Sequence, residues 1–189
     1  MPEREMLLQL DKETLVDLLE DAAKNWLAHD GLWFQAVEKE FGMSAALDMD
    51  RRAWKLFTQV EAKRIMRHLG LEPGGGIEAL DQALRYRQYA RINEQEIYRV
   101  DENTLRFEMK ECRVQVARDR KGLPAFPCKA VGMVEYAYFA HTIDPRIKTE
   151  VIFCPPDFRP EGTFCTWQFT LQEKPVPAEN IVPQDSVYG

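Results

Sequence analysis

Apolar side chains recur every three or four residues through the first half of the chain and alternate with polar ones through parts of the second. Between residues 12 and 28, Leu15, Leu18, Leu19, Ala22, Ala23 and Trp26 share one side of a helix, and Asp11 is available to cap it. The pattern predicts a pause at His29-Asp30-Gly31. A second helix then starts with Asp30 as its cap, buries Trp33, Ala36, Val37 and Phe41, and stops at Gly42. Ser44 can cap a long third helix that carries Leu47, Trp54, Phe57, Val60, Ile65 and Leu69 and ends at Gly70. The Pro73-Gly74-Gly75-Gly76 stretch reads as a flexible connection to a fourth helix over Ile77 to Ile92.

After Asn93 the period changes. Leu105, Phe107 and Met109 alternate with Arg106, Glu108 and Lys110, which predicts a hairpin of residues 96–100 and 104–110 around Asp101-Glu102-Asn103. A short charged helix over Arg113 to Arg120 follows, with a solvated face. Gly122, Pro124 and Pro127 then form a loop before a helix over Lys129 to Ala140. Two strands, Ile147 to Cys154 and Phe164 to Leu171, flank a long loop with Pro155, Pro156, Pro160 and Gly162. Helices first and antiparallel strands second define an α+β chain: a helical half over 1–93, an α+β half over 94–172 with two helices between strand pairs, and an extended tail over 173–189. The apolar helix faces carry Trp26, Trp33, Trp54 and Phe57, more than a short bundle hides, so the two halves are expected to share one core and to enclose a ligand cavity between them.

Composition narrows the function. With 31 acidic and 25 basic residues the net charge is -6, spread evenly over the two halves, which argues against a nucleic-acid or anionic-membrane partner. The acidic start, with no long apolar run, predicts neither a secretory leader nor a membrane span, and the expected location is cytoplasmic. There Cys112, Cys128, Cys154 and Cys165 would be thiols or metal ligands rather than disulfides. Their spacing contains no C-x-x-C knuckle, but each stands at an element end or beside a loop, so the fold can bring them together. Small buried thiols are the competing reading. No G-x-G-x-x-G, P-loop, G-x-S-x-G or H-E-x-x-H pattern is present.

The segments Cys112-Arg113-Val114-Gln115, Phe126-Pro127-Cys128-Lys129, Thr142-Ile143-Asp144-Pro145-Arg146, Cys154-Pro155-Pro156-Asp157 and Cys165-Thr166-Trp167 carry a resemblance, together with Asn25 to Phe34 and Glu61 to Ile65. They resemble a cytosolic family related to L-2-amino-thiazoline-4-carboxylic acid hydrolase. The second half, with Cys128, Gly132, Glu150, Cys154 and Cys165, is also similar to the vinyl-reductase type of ligand-binding domain. The resemblance implies a cysteine-bound metal, zinc, on Cys112, Cys128, Cys154 and Cys165. Four thiolates would close the shell of a structural site, whereas three would leave a position for water. Val151 stands where relatives carry a further cysteine, which leaves a four-thiolate set complete.

The candidate ligand-binding residues are His29, Asp30 and Trp33 around the predicted helix break, Glu61 and Arg64 on the third helix, and Tyr138 and His141 on the helix after Cys128. A break at Asp30 would aim helix N–H groups at an anion. Arg64 could hold a carboxylate. Each has a plainer reading: a cap, a solvated ion pair, a core aromatic stripe. The expectation is a cytosolic zinc-binding protein that holds a small carboxylated ligand. A hydrolase acting on a cyclic amidine-like substrate such as L-2-amino-thiazoline-4-carboxylate is the enzymatic alternative, and a dimeric sensor or scaffold the third.

Overall fold

The computed structural model describes residues 2–182. A short helix α1 (Pro2–Leu8) precedes α2 (Lys12–Phe41), which starts where Asp11 Oδ1 accepts a hydrogen bond from Thr14 N at 2.9 Å. α2 does not pause at His29-Asp30-Gly31; it is one helix of 30 residues. An interior glycine costs about 1 kcal/mol against alanine. Breaking the helix would strand several backbone groups and split the face that presents Trp26 and Phe34 to the core, a larger loss. Asp30 is therefore no cap, and the proposed anion-binding helix end does not exist.

Gly42, at φ +84°, reverses the chain into α3 (Met43–Leu69), so Gly42 and not Ser44 occupies the cap position. α3 ends in the left-handed Gly70. The expected flexible connection is a pinned turn. Gly74 N donates to Ile143 O at 2.9 Å, Gly76 N donates to the buried Asp144 Oδ2 at 3.0 Å, and Arg146 Nη2 donates to Gly74 O at 3.1 Å. α4 (Gly76–Arg85) is shorter than predicted, because Arg87 is extended and a 3-10 turn (Gln88–Arg91) follows. Glu61 compensates by accepting from Gln88 N at 2.9 Å and Arg87 Nε at 3.0 Å.

The second half contains β1 (Glu94–Asp101), β2 (Thr104–Glu111), α5 (Arg113–Arg120), α6 (Lys129–Ile143), β3 (Ile147–Phe153) and β4 (Cys165–Leu171). The strands form one antiparallel sheet in the order β1-β2-β4-β3. Leu105, Phe107 and Met109 on β2 face inward as their alternation requires, next to Trp167 and Phe169 of β4. α6 is apolar on nearly all sides, and ten of its fifteen residues are buried. Its Gly132 permits close approach, since a Cβ there would lie 2.8 Å from Trp167 Cζ2.

The largest core cluster joins Ala62, Met66, Leu80 and Leu84 of the helical half to Phe107, Phe139, Trp167 and Phe169 of the α+β half. The stretch after Leu171 is extended but docked. Gln172 N donates to Arg146 O, Val176 N donates to Pro145 O, a 3-10 turn spans Ala178–Asn180, and Ile181 is buried. The remainder of the predicted tail, 183–189, lies outside the described residues. Among those residues, no helix is long and apolar enough to cross a membrane.

Candidate functional site

A cavity of about 520 Å³ opens between the halves. Four helices and the ends of the strands line it, and the faces of α2, α3 and α6 follow helical spacing. α2 contributes Leu27, Asp30, Gly31 and Phe34; α3 contributes Asp50 and Trp54, four apart; α6 contributes Val131, Gly132, Glu135 and Tyr136. Tyr89 comes from the 3-10 turn, and Cys112, Cys128, Cys154, Cys165 and Trp167 from the sheet side and its connections. All four cysteines thus border one space.

The thiol wall is rigidly held. Gln115 clamps the loop before Cys128, with Nε2 donating to Phe126 O at 2.7 Å and Oε1 accepting from Phe126 N at 3.0 Å. Its Nε2 also lies 3.5 Å from Cys128 Sγ. Lys129 N donates to Pro155 O at 2.9 Å, and Asp157 receives both Lys129 Nζ at 2.9 Å and Cys154 N at 3.2 Å. Cys128 Sγ and Cys154 Sγ are 3.5 Å apart, and Trp167 Nε1 donates to Cys165 Sγ at 3.3 Å. Hydrogen bonds from Cys154 and Gln115 lower the Cys128 pKa against burial, whereas burial pushes the Cys112 thiol up to about 12. Cys154, in contact with both Cys128 and Cys165, is also raised.

Asp30, Asp50 and Glu135 give the same cavity an acidic wall. Burial, then Asp30 and Glu135, raise Asp50 to about 8, so its carboxyl is mostly protonated at neutral pH. Burial also raises Asp30 and Glu135. Behind them the fully enclosed Arg87 ties α3 to α6. Its Nε donates to Glu61 Oε2 at 3.0 Å, while Nη2 sits 2.6 Å from Glu135 Oε1, an ion pair without the alignment of a good hydrogen bond. The guanidinium lies 4.8 Å from the Phe139 ring centre and 5.3 Å from that of Tyr136. Burial opposes its charge, but Glu61 and Glu135 outweigh burial and raise its pKa.

The cavity mouth is basic. Lys24, Arg113, Arg118, Arg120 and Lys121 line it. Arg118 is committed elsewhere, since its Nη atoms grip Glu38 at 2.8 and 2.9 Å and its Nε donates to Pro124 O at 2.7 Å. α5 is therefore not the uniformly solvated helix its charge suggests: Gln115 and Arg118 are buried. Arg113 and Arg120 make no ion pair among the described residues.

Of the candidate ligand residues, Asp30 lines the cavity together with the four cysteines. His29, Trp33 and Arg64 are solvent-exposed and outside the cavity lining. Glu61 is buried and pairs with Arg87, not Arg64. Tyr138 lies under Lys55 Nζ at 5.0 Å, and burial lowers the pKa of His141; both are on the part of α6 turned from the cavity. Asp50, Tyr89 and Gln115 are the functional candidates that sequence reasoning passed over. Asp50 had a readable signal: four residues before Trp54, it stands in phase with the buried Trp54, Thr58 and Glu61, where an acid is out of place. Gln115 had none.

This geometry defines an α+β protein with a cavity between its halves that both thiols and carboxyls line. The chain belongs to a family of unknown function (DUF6125), whose model matches residues 8–171. No curated protein matches it.

Proposed function

We propose that this protein binds a small organic molecule in the cavity between its halves, with a zinc ion held by the cysteine wall. The carrying observation is that a space of about 520 Å³ brings four thiols, three pKa-raised carboxyls and an aromatic lining together. That volume falls within the range of ordinary small-ligand sites, about 300–1,000 Å³. Asp30, Asp50 and Glu135 favour a protonated or hydrogen-bond-donating nitrogen group, with Trp54 and Tyr89 beside it. A ligand carboxylate would meet Arg113 and Arg120 at the mouth rather than the distant His29 and Arg64.

The donor set suits zinc in chemistry and partly in spacing. Two sulfurs on a tetrahedral zinc ion stand about 3.8 Å apart when each bond is about 2.3 Å. Cys128 and Cys154 are 3.5 Å apart. As placed, no three His, Cys, Asp or Glu side chains among the described residues form a ready ligand group, so Cys112 and Cys165 would turn toward that pair on binding. A site closed by all four is structural; one left open would supply an activated water for hydrolysis.

The amidine-hydrolase reading draws on the same arrangement. A neutral amidine placed against Asp50, whose protonated carboxyl can donate a hydrogen bond to its nitrogen, would bring its carbon into the polar interior of the cavity. The first experiment is zinc titration of the chelator-treated full chain, read by competition with a chromophoric chelator. About one equivalent is expected, lost in Cys154→Ser; binding below about 0.3 equivalents would remove zinc from the proposal. Incubating the zinc-loaded protein with L-2-amino-thiazoline-4-carboxylate then separates enzyme from binder, since only the enzyme releases ring-opened product.

A further inference from the structure

The side of the α2–α3 hairpin that points away from the cavity is apolar, and no other element among the described residues covers it. On α2 the cavity receives Leu27, Gly31 and Phe34, and the packed side carries Ala23 and Trp26. Turning further round the helix at about 100° per residue brings Leu18, Ala22 and Trp33 onto one outer stripe. On α3, Met49 and Leu56 are one heptad apart and Val60 follows four residues later, the spacing of a coiled-coil seam. Trp33 is 65% exposed, Leu56 69%, Met49 51% and Leu18 46%. Leu18 lies about 180° round α2 from the cavity-facing Leu27, and Met49, Leu56 and Val60 lie about 160–180° round α3 from Thr58, which faces α6, so both stripes point away from the core. Apolar side chains exposed along a face of this length, with Asn25 and His29 between them on α2 and Arg52 and Lys63 beside them on α3, mark a partner surface.

We infer that this face joins two copies of the chain in an antiparallel four-helix bundle. Size is the first argument. Helices of 30 and 27 residues are about 45 and 40 Å long and about 10 Å wide, so the pair offers roughly 800 Å² per partner, the usual size of a stable interface. Charge is the second. Apart from Lys24, Asp30, Glu38, Asp50 and Glu61, which the cavity or an ion pair takes up, α2 carries five acids against two bases, and α3 carries six bases against one acid. A two-fold axis parallel to the helices lays α2 of each copy across α3 of the other, antiparallel to it, so that opposite net charges face each other over the apolar seam. The same self-complementarity would not be met by placing α2 on α2. His29, exposed and without a place in the cavity, lies on this stripe of α2.

Sedimentation velocity on the full-length protein at micromolar concentration tests the inference. The expected species has twice the 22.0 kDa chain mass. Leu56→Glu and Trp33→Glu put a carboxylate into the seam, and each should weaken the dimer at least about 100-fold, the effect of an unpaired charge in an interface. Their helical circular dichroism should stay unchanged, since both side chains are largely exposed in the single chain. Should either variant lose its cooperative melt, the uncharged Leu56→Gln replaces it and must also weaken association. A wild-type chain that sediments as a monomer overturns the inference, as does a dimer that all these variants leave intact.

Discussion

Replacing Asp50 by Asn gives the sharpest test of the acidic wall, because the substitution keeps shape and removes only the ability to ionise. Asp50 has an ordinary pKa of 3.8 and is raised to about 8 in the folded protein, through burial first and the Asp30 and Glu135 charges next. A raised carboxyl binds more protons folded than unfolded, so its contribution to stability is complete below the unfolded pKa and is lost as pH climbs toward the folded one. About four pH units at about 1.36 kcal/mol each set an upper limit of about 5 to 6 kcal/mol, all of it lost above about pH 8. At pH 5 only about 2 kcal/mol of that has gone. Since the cavity admits water, about half of this difference is a fair expectation: the wild type should lose roughly 2 kcal/mol relative to Asp50→Asn between pH 5 and 8. Urea unfolding of both proteins at pH 5, 7 and 9 measures it. Every other titrating group is shared, so the difference between the two curves isolates Asp50 and its coupling to Asp30 and Glu135. Parallel curves, or a variant less stable than the wild type at pH 9, would refute a carboxyl held neutral by its surroundings.

Three further outcomes follow from the packing. Gly132→Ala forces a Cβ against the fully buried Trp167 ring and should cost about 1–3 kcal/mol in urea unfolding, as overpacking does. Arg87→Met leaves Glu61 and Glu135 buried without a counter-charge and should cost about 3–5 kcal/mol, with most of the loss recovered when Glu61→Gln and Glu135→Gln are added; no recovery would mean that the arginine acts by packing on Phe139 alone. Residues 94–189 expressed alone lack Ala62, Met66, Leu80 and Leu84 from the shared core and should be insoluble or molten; a sharp thermal transition from that fragment would contradict the single-core architecture.

Legibility of the fold and site depended on whether the deciding interaction was local. The alternation of Leu105, Phe107 and Met109 identifies β2 because one face of that strand meets the core and the other meets solvent, and the helix–strand segregation makes the chain α+β by the same logic. The end of α4 was not readable in this way. Its residues up to Ile92 keep a helical pattern, but Glu61, 26 positions before Arg87, accepts two hydrogen bonds that an extended backbone at Arg87 supplies. The Asp30-Gly31 pair failed for the opposite reason: it carries a strong local stop signal, yet the local cost is about 1 kcal/mol and the continuous packing of α2 outweighs it. The misplacement of His29 and Trp33 follows from that one error, whereas Arg64 on α3 is misplaced because Glu61, its expected partner, is buried and pairs with Arg87. A break in α2 would have turned His29 and Trp33 inward; a continuous helix fixes their phase and puts them on the side away from the cavity. The cysteines escaped this problem because strand and helix ends converge wherever a sheet packs against a helix. Cys112, Cys128, Cys154 and Cys165 each occupy such an end, and one small space at the edge of α6 collects all four. The acids needed a sharper rule, which is that a carboxylate in phase with a buried tryptophan must be either paired or neutral. Glu61 is paired with Arg87, whereas Asp50 has no cation and stays neutral, and that difference puts one in the scaffold and the other in the cavity.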